Sequence, residues 1–103
     1  MKNNQCQKCG MVISVKLKEG VSAEDFLAAS DKIQEDFLSG CKGYISRQLM
    51  IIDGIWTDWV IWETQSDAEN AMVQSMESES SQEFTSFIGE ILEHQLYPIE
   101  RAY

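Results

Sequence analysis

Positive charge is scarce in this sequence, and over most of its second half there is none. The 103 residues carry 8 Lys and Arg against 17 Asp and Glu, for a net charge of −9, and residues 48–100 contain no Lys or Arg. Proteins that bind nucleic acids or anionic membranes need a basic surface to neutralise phosphate groups. We therefore expect no nucleic-acid partner and no membrane partner.

Long apolar runs are also missing. No run approaches the roughly 18 residues that span a bilayer, and the polar residues 1–5 are not followed by an apolar segment of the signal-peptide type. This pattern predicts a cytoplasmic protein.

Cysteine is present in an odd number, which makes a disulfide framework unexpected for such a protein. Cys6 and Cys9 have the spacing of a zinc or redox pair, but a structural zinc site needs four ligands and no second CxxC motif follows. We predict no metal site. We expect Cys6 and Cys9 to be exposed thiols in a flexible tail, residues 1–10.

Several motifs of larger enzyme classes are absent, among them the Gly-rich phosphate loop, the nucleophile elbow and the dinucleotide fingerprint. Enzyme classes that depend on these motifs are disfavoured, and we expect no cofactor. The 44% of hydrophobic residues is nevertheless ample for one folded core.

The periodicity of apolar residues predicts an alternation of strands and helices. Residues 11–18 alternate as a half-buried strand, and Ser22 is a good N-cap for a helix over residues 22–39. Residues 44–52 and 55–63 flank Asp53-Gly54, a strong signal for a β-hairpin with a two-residue turn.

This turn fixes which hairpin side chains share a face. Ile52 should lie opposite Ile55, and Arg47 diagonally across from Asp58. Tyr44 is expected on the opposite face from Arg47, with Ser46, Gln48, Met50, Thr57, Trp59 and Ile61.

After the hairpin, Ser66 and Ser80 each open a predicted capping box, so the second helical region should be split in two. Apolar residues at helical spacing continue to Leu92, and residues 95–103 are predicted to form a closing strand. Pro98 must then lie at a sheet edge or a bulge.

The predicted fold is α+β, a ferredoxin-like βαββαβ domain over residues 11–103 with a four-stranded antiparallel sheet. Helices would cover one face of the sheet only, and the other face carries too many apolar side chains to remain in water. We therefore predict a homodimer in which two sheets pack face to face.

The sequence resembles the antibiotic biosynthesis monooxygenase-like family over nearly the whole domain, from about Val12 to Ile99. The segments that carry the resemblance are residues 43–49, residues 54–62, Ala68 and Ala71, residues 84–88, and Glu93-His94. The resemblance implies a dimeric α+β barrel with a pocket for a flat hydrophobic molecule, between sheet and helices or inside the barrel.

Some members of this family oxidise polyketide-type aromatic substrates with molecular oxygen and without a metal or flavin. Others degrade haem with an Asn, a Trp and a His, a set that does not map here because the first predicted strand has no asparagine. The resemblance thus implies a cofactor-independent, monooxygenase-like protein acting on a small aromatic or polyketide-type substrate. The alternative is a non-catalytic homodimer of the same fold that binds a small molecule or serves in stress.

Three polar residues are candidates for catalysis. His94 is the only histidine, and imidazole is the side chain best suited to take a proton from a phenol near neutral pH. Its alternative role is structural, as a hydrogen-bonded residue where the last helix meets the last strand. Arg47 and Asp58 would either orient a ligand oxygen or form a buried cross-strand salt bridge.

The ligand-binding candidates are aromatic or flexible apolar residues. Trp56 and Trp62 share a face of their strand and could flank a planar ligand, and Trp59 points the other way. Met72 would be an adaptable lining residue and Tyr44 an additional contact. The competing interpretation of all four candidates is ordinary packing in the core.

Overall fold

A computed structural model describes residues 7–103 and confirms the predicted βαββαβ order. The elements are β1 (Cys9–Leu17), α1 (Ala23–Asp36), a 3₁₀ turn (Leu38–Gly40), β2 (Tyr44–Ile52), β3 (Ile55–Trp62), α2 (Gln65–Ser75), α3 (Glu79–Ser86) and β4 (Ile88–Pro98). The second helical region is split, as the sequence predicts.

The four strands form one antiparallel sheet in the order β2-β3-β1-β4. β1, which starts the fold, therefore lies in the interior of the sheet, between β3 and β4. β4 is an edge strand, and Pro98 ends it opposite Cys9, where its missing N–H is tolerated.

The β2–β3 hairpin has the predicted two-residue turn, with positive φ angles of 52° at Asp53 and 78° at Gly54. Ile52 pairs with Ile55, and the register holds as far as Ser46. A bulge then follows, so that Tyr44 pairs with Trp62. The expected placement of Tyr44 on the face away from Arg47 is wrong, because the bulge at Ile45 adds one residue and inverts the alternation.

All helices pack on one face of the sheet, which we call the helix face. The core there includes Met11 and Val15 of β1, Trp56 and Val60 of β3, and Phe26 of α1. The other face, the open face, carries apolar side chains that no element of residues 7–103 covers, including Met50, Ile52, Trp59 and Tyr97.

The helix caps were predicted correctly at α1 and two residues too late at α2 and α3. Ser22 Oγ accepts a hydrogen bond from the Asp25 amide, as expected. The caps of the later helices are Thr64 and Ser78 rather than Ser66 and Ser80, since they accept from the amides three residues ahead.

The last strand lies earlier in the chain than predicted, because β4 begins at Ile88 instead of residue 95 and ends at Pro98 instead of residue 103. The pairing of β4 with β1 contains two register shifts, which interrupt the alternation of inward and outward side chains along β4. The apolar residues of β4 therefore have a spacing similar to that of a helix. The pairing also needs Gly89, where an added Cβ would lie 3.1 Å from the Cα of Lys18.

The first strand starts at Cys9, and the expectation of an exposed thiol there is wrong. Cys9 is only 2% exposed, because β1 pairs at this position with both Trp62 and Pro98. Burial raises the pKa of its thiol, and Glu69 adds to the effect. Cys6 and most of the predicted tail lie outside the described residues, so their part of that expectation stays a prediction.

Residues 7–103 contain neither a membrane-spanning helix nor a cluster of metal-binding side chains. None of the helices there is long and apolar enough to cross a membrane. No three His, Cys, Asp or Glu side chains in that part of the chain are grouped so that they would hold a metal ion.

Candidate functional site

A cavity of about 200 Å³ lies between the helix face of the sheet and the helices. Its floor consists of side chains from β1, β2, β3 and β4, and its walls come from α1, α2 and α3. Most lining residues are aliphatic or aromatic. The cavity is thus suited to an apolar ligand held by few polar contacts.

Aromatic rings form one wall of the cavity. The Phe26 ring lies edge-on to Trp56 at 5.2 Å between centroids and stacks on Phe84 at 4.7 Å with an interplanar angle of 20°. Rings from three elements therefore hold one another in place, which gives the cavity a rigid side against which a planar ligand can pack.

Asp58 is one of the residues that line the cavity, and Arg47 holds its carboxylate in place. Arg47 Nε donates to Asp58 Oδ1 and Nη2 donates to Oδ2, both at 2.9 Å, so the pair is bidentate. The side chains are 6% and 12% exposed. The predicted diagonal contact between these two residues is confirmed.

Arg47 makes further contacts on the side away from Asp58. Its Nη1 donates to the Ser30 carbonyl at 3.2 Å and to Gln34 Oε1 at 3.4 Å, and its Cζ lies 5.5 Å from the centre of the Phe84 ring. Four of its five N–H donors thus have protein partners. Arg47 does not itself line the cavity.

His94 lines the cavity from β4, where it pairs with Ile13 in the middle of the strand. The alternative placement at a helix–strand junction is therefore wrong, since β4 starts six residues earlier, at Ile88. His94 is exposed to solvent as well as lining the cavity, so it lies at the cavity mouth.

The four predicted ligand-binding residues lie in two different parts of the structure. Trp56 lines the cavity, as does Met72 from α2. Trp62 is fully buried, packs against Tyr44 at 6.0 Å between centroids, and does not line the cavity. The Tyr44 hydroxyl accepts a hydrogen bond from Gln34 Nε2 at 3.0 Å. Trp56 and Trp62 thus do not enclose one ligand within this chain.

Three further residues line the cavity that sequence reasoning missed, and each of them carries a hydroxyl group: Ser75, Ser81 and Thr85. The spacing of Ser81, Phe84 and Thr85 over three and four positions, the period of one helix face, was the available signal. The same segment is rich in serine, a composition that also predicts a break between helices.

The fold belongs to a class of structures that includes small oxygenases, as comparison with solved structures shows. SnoaB from Streptomyces nogalater, described as a cofactor-independent oxygenase, superposes with a TM-score of 0.76 at 12% identity, over 93% of this chain and 96% of that one. MupZ from Pseudomonas fluorescens has a TM-score of 0.75 at 13% identity, over 97% and 74% of the two chains.

A third similar structure is a protein of Bordetella bronchiseptica provisionally named an antibiotic biosynthesis monooxygenase. It has a TM-score of 0.66 at 19% identity, over 94% of this chain and 99% of that one. No protein-family model and no curated protein matches the sequence. The resemblance to this monooxygenase group is therefore confirmed in the fold.

Proposed function

We propose that this protein is a cofactor-independent oxygenase of small aromatic molecules, with the cavity as its active site. The observation that carries the proposal is the convergence of His94, Asp58 and Trp56 on one apolar cavity. The likeness in fold to a cofactor-independent oxygenase supports the reaction class.

In this reaction the substrate itself supplies the electrons. A phenol whose ring is oxidised to a quinone loses two hydrogen atoms from the ring and its hydroxyl, and O₂ gives one oxygen atom to the product and one to water. His94 would take the phenolic proton, because a phenolate gives up electrons to oxygen far more readily than a phenol. The exposed position of His94 suits the return of that proton to water.

Asp58 and Arg47 would have distinct parts. Asp58 lines the cavity, and its carboxylate would accept a hydrogen bond from a ligand hydroxyl. Arg47 is a positioning residue, since its donors are occupied by Asp58, Ser30 and Gln34. Trp56 and Met72 would hold the ring of the substrate by packing against its faces.

We also propose that two copies pack through the open face. Trp59 lies there over Gly10, where an added Cβ would come within 3.4 Å of the indole Nε1, and the tryptophan remains 45% exposed. Met50 and Tyr97 are 41% and 46% exposed on the same face. A second sheet would remove this apolar area from water.

The test is oxygen consumption by the purified protein with a panel of phenols and hydroquinones. We expect uptake with wild type and a loss of at least about tenfold in His94→Gln, which keeps hydrogen-bonding atoms but cannot exchange a proton near neutral pH. Val73→Ala is the matched control, because Val73 is exposed on α2 and outside the cavity.

Two outcomes would contradict this proposal, one in the role of His94 and the other in the reaction itself. Equal turnover in wild type and His94→Gln would remove His94 from the chemistry. Absence of uptake across the panel, with binding of the same phenols intact, would favour the non-catalytic binding protein. The cytoplasmic location remains a prediction that neither outcome affects.

A further inference from the structure

We propose that ligands enter the cavity between α3 and β4 with the apolar end of the ring first, and that the site therefore rejects phenols with an acidic group opposite the hydroxyl. This inference rests on the proposed use of the cavity as a ligand site. It goes further by assigning the entrance, the orientation of the bound ring and the class of phenol that is excluded.

The entrance is defined by the lining residues that are also exposed to solvent. These are Thr85 of α3 and Ile91 and His94 of β4, and Ile91 is 59% exposed. The other lining residues are buried or half-buried. Since β4 is an edge strand, no further strand of the described chain continues the sheet beyond it. The cavity therefore opens along this edge, between α3 and β4.

A ring in this cavity has one end at the entrance and one end inside. An apolar cavity of roughly 150 Å³ holds one benzene ring. At about 200 Å³ the present cavity leaves room for a ring with one or two small substituents. When the hydroxyl lies at the entrance beside His94, a group on the opposite side of the ring is thus enclosed by protein.

The enclosed end offers no charge that would balance an anion. None of the lining residues among residues 7–103 is Lys or Arg. The one acidic lining residue, Asp58, is paired with Arg47 through two hydrogen bonds. Arg47 also donates to Ser30 and Gln34, so four of its five N–H donors are already used. A second anion would therefore find no free cation inside the cavity.

The hydroxyl groups of the lining residues are not available to an anion either. Ser75 Oγ donates to the Met72 carbonyl at 2.7 Å, and Thr85 Oγ1 donates to the Gln82 carbonyl at 3.1 Å. Ser81 Oγ has no partner among residues 7–103, but it is enclosed by protein atoms and out of reach of a ligand. A carboxylate inside the cavity would thus lose its hydration without gaining hydrogen bonds, which is costly.

An acidic group at the entrance is in a different environment. Water reaches the exposed residues there, and His94 is the one lining residue that can take up a positive charge. An acidic group next to the hydroxyl, rather than opposite it, would lie at the entrance and keep its hydration. The position of the acidic group on the ring therefore decides whether an acidic phenol binds.

The experiment compares four phenols in NMR titrations of the wild-type protein: para-hydroxybenzoate, ortho-hydroxybenzoate and the amide of each acid. Each amide has the shape of its acid but no charge, so the ratio of amide to acid affinity measures the effect of the charge. We expect a ratio of at least about tenfold for the para pair and below about threefold for the ortho pair.

Thr85→Lys tests the position of the entrance. It adds an ammonium group at an exposed lining residue, and it should strengthen binding of ortho-hydroxybenzoate by about two- to threefold and leave ortho-hydroxybenzamide unchanged. Ser86→Lys is the matched control, because Ser86 is the next residue of the same helix, is exposed and does not line the cavity. It adds the same charge and should leave both affinities unchanged. A thermal melt of each variant, matching wild type, confirms that folded proteins are compared.

Four results would overturn the inference. A para ratio near one would mean that the enclosed end accepts a charge. Equally large ratios for the two pairs would mean that the ring has no fixed orientation. No gain in Thr85→Lys, or the same gain in Ser86→Lys, would place the entrance elsewhere. Failure of wild type to bind either amide would exclude one-ring phenols as ligands.

Failure of the inference and failure of the proposed oxygenase are distinguishable, since the titrations need no turnover. The expected affinity ratios without oxygen uptake would support the assigned orientation and contradict the oxygenase. Oxygen uptake with para-hydroxybenzoate as fast as with its amide would support the oxygenase and contradict the assigned orientation.

Discussion

Arg47 and Asp58 lie on neighbouring strands and join through two parallel hydrogen bonds of 2.9 Å, with the guanidinium set over the ring of Phe84. Both charges are almost fully withdrawn from water. The register of β2 against β3 brings the two residues together. The two hydrogen bonds from Arg47 then fix the orientation of the carboxylate of Asp58, which is a cavity-lining residue.

Arg47→Met should destabilise the protein strongly. It leaves the Asp58 carboxylate without its partner in a largely apolar environment, and breaking a buried pair on one side costs about 3 kcal/mol or more. The free energy of unfolding in urea measures the effect. The double variant Arg47→Met/Asp58→Leu should regain most of the loss, whereas a simple sum of two losses would contradict this account.

The exposed ion pair between Lys32 and Glu83 supplies the comparison. The two side chains are 57% and 47% exposed, and Lys32 Nζ lies 3.1 Å from Glu83 Oε1. Lys32→Ala should therefore change the free energy of unfolding by less than about 0.5 kcal/mol, because solvent screens such pairs.

Ser81→Ala should leave the stability of the ligand-free protein unchanged or raise it by up to about 1 kcal/mol. The reason is that a buried hydroxyl without a partner contributes nothing and costs its lost hydration. Urea unfolding without ligand makes the test. A loss above about 1 kcal/mol would show that the hydroxyl has a structural partner.

Gly43→Ala should cost more than an ordinary change at a left-handed glycine. The φ angle of Gly43 is 84°, and a Cβ there would overlap the buried side chain of Asp67 at the start of α2. Gly20 has a φ angle of 89° with nothing within 4 Å of its Cβ position, so Gly20→Ala measures backbone strain alone. We expect about 1 kcal/mol for Gly20→Ala and at least about 2 kcal/mol for Gly43→Ala in urea unfolding. Equal losses would show that Asp67 moves aside freely.

Trp59→Lys should convert the proposed dimer to a monomer, since it places a charge on the open face beside Gly10. Light scattering gives the mass directly. Val73→Lys is the control, because Val73 is 64% exposed on α2, away from that face, and this variant should remain a dimer. A monomeric wild type would refute the proposed packing.

Cys9 should resist thiol reagents in the folded protein, in contrast to the tail thiol that its sequence context suggested. It is 2% exposed and burial raises its pKa from the ordinary value of 9.0. The unfolded chain therefore loses this proton at lower pH than the folded one, and the contribution to stability falls as pH rises above 9.0. Mass spectrometry after labelling at pH 8 measures the protection, and labelling of Cys9 as fast as in urea-unfolded protein would contradict it.

The sequence predicted the hairpin well because a single local signal set it, whereas at α2 and α3 two candidate cap residues lie two positions apart and the earlier one caps the helix. Asp53-Gly54 fixed the turn, the turn fixed the register as far as Ser46, and the register paired Arg47 with Asp58. The prediction failed where contacts between segments far apart in the sequence determine the structure. Pairing with β1 makes residues from Ile88 onward a strand, although their apolar residues have helical spacing. The bulge before Ser46, which brings Tyr44 to Trp62, has no local signal of its own.

What the sequence by itself determined, then, is the order of elements, the hairpin and its ion pair, because turn chemistry and periodicity act over a few residues. Only the tertiary structure decided which candidates share the cavity. It joins His94 of β4 and Asp58 of β3 across β1, adds Ser81 from α3, and withdraws Trp62 into the core. The physical reason is that strand order and bulges, which depend on pairing between distant segments, determine the face and depth at which each side chain lies.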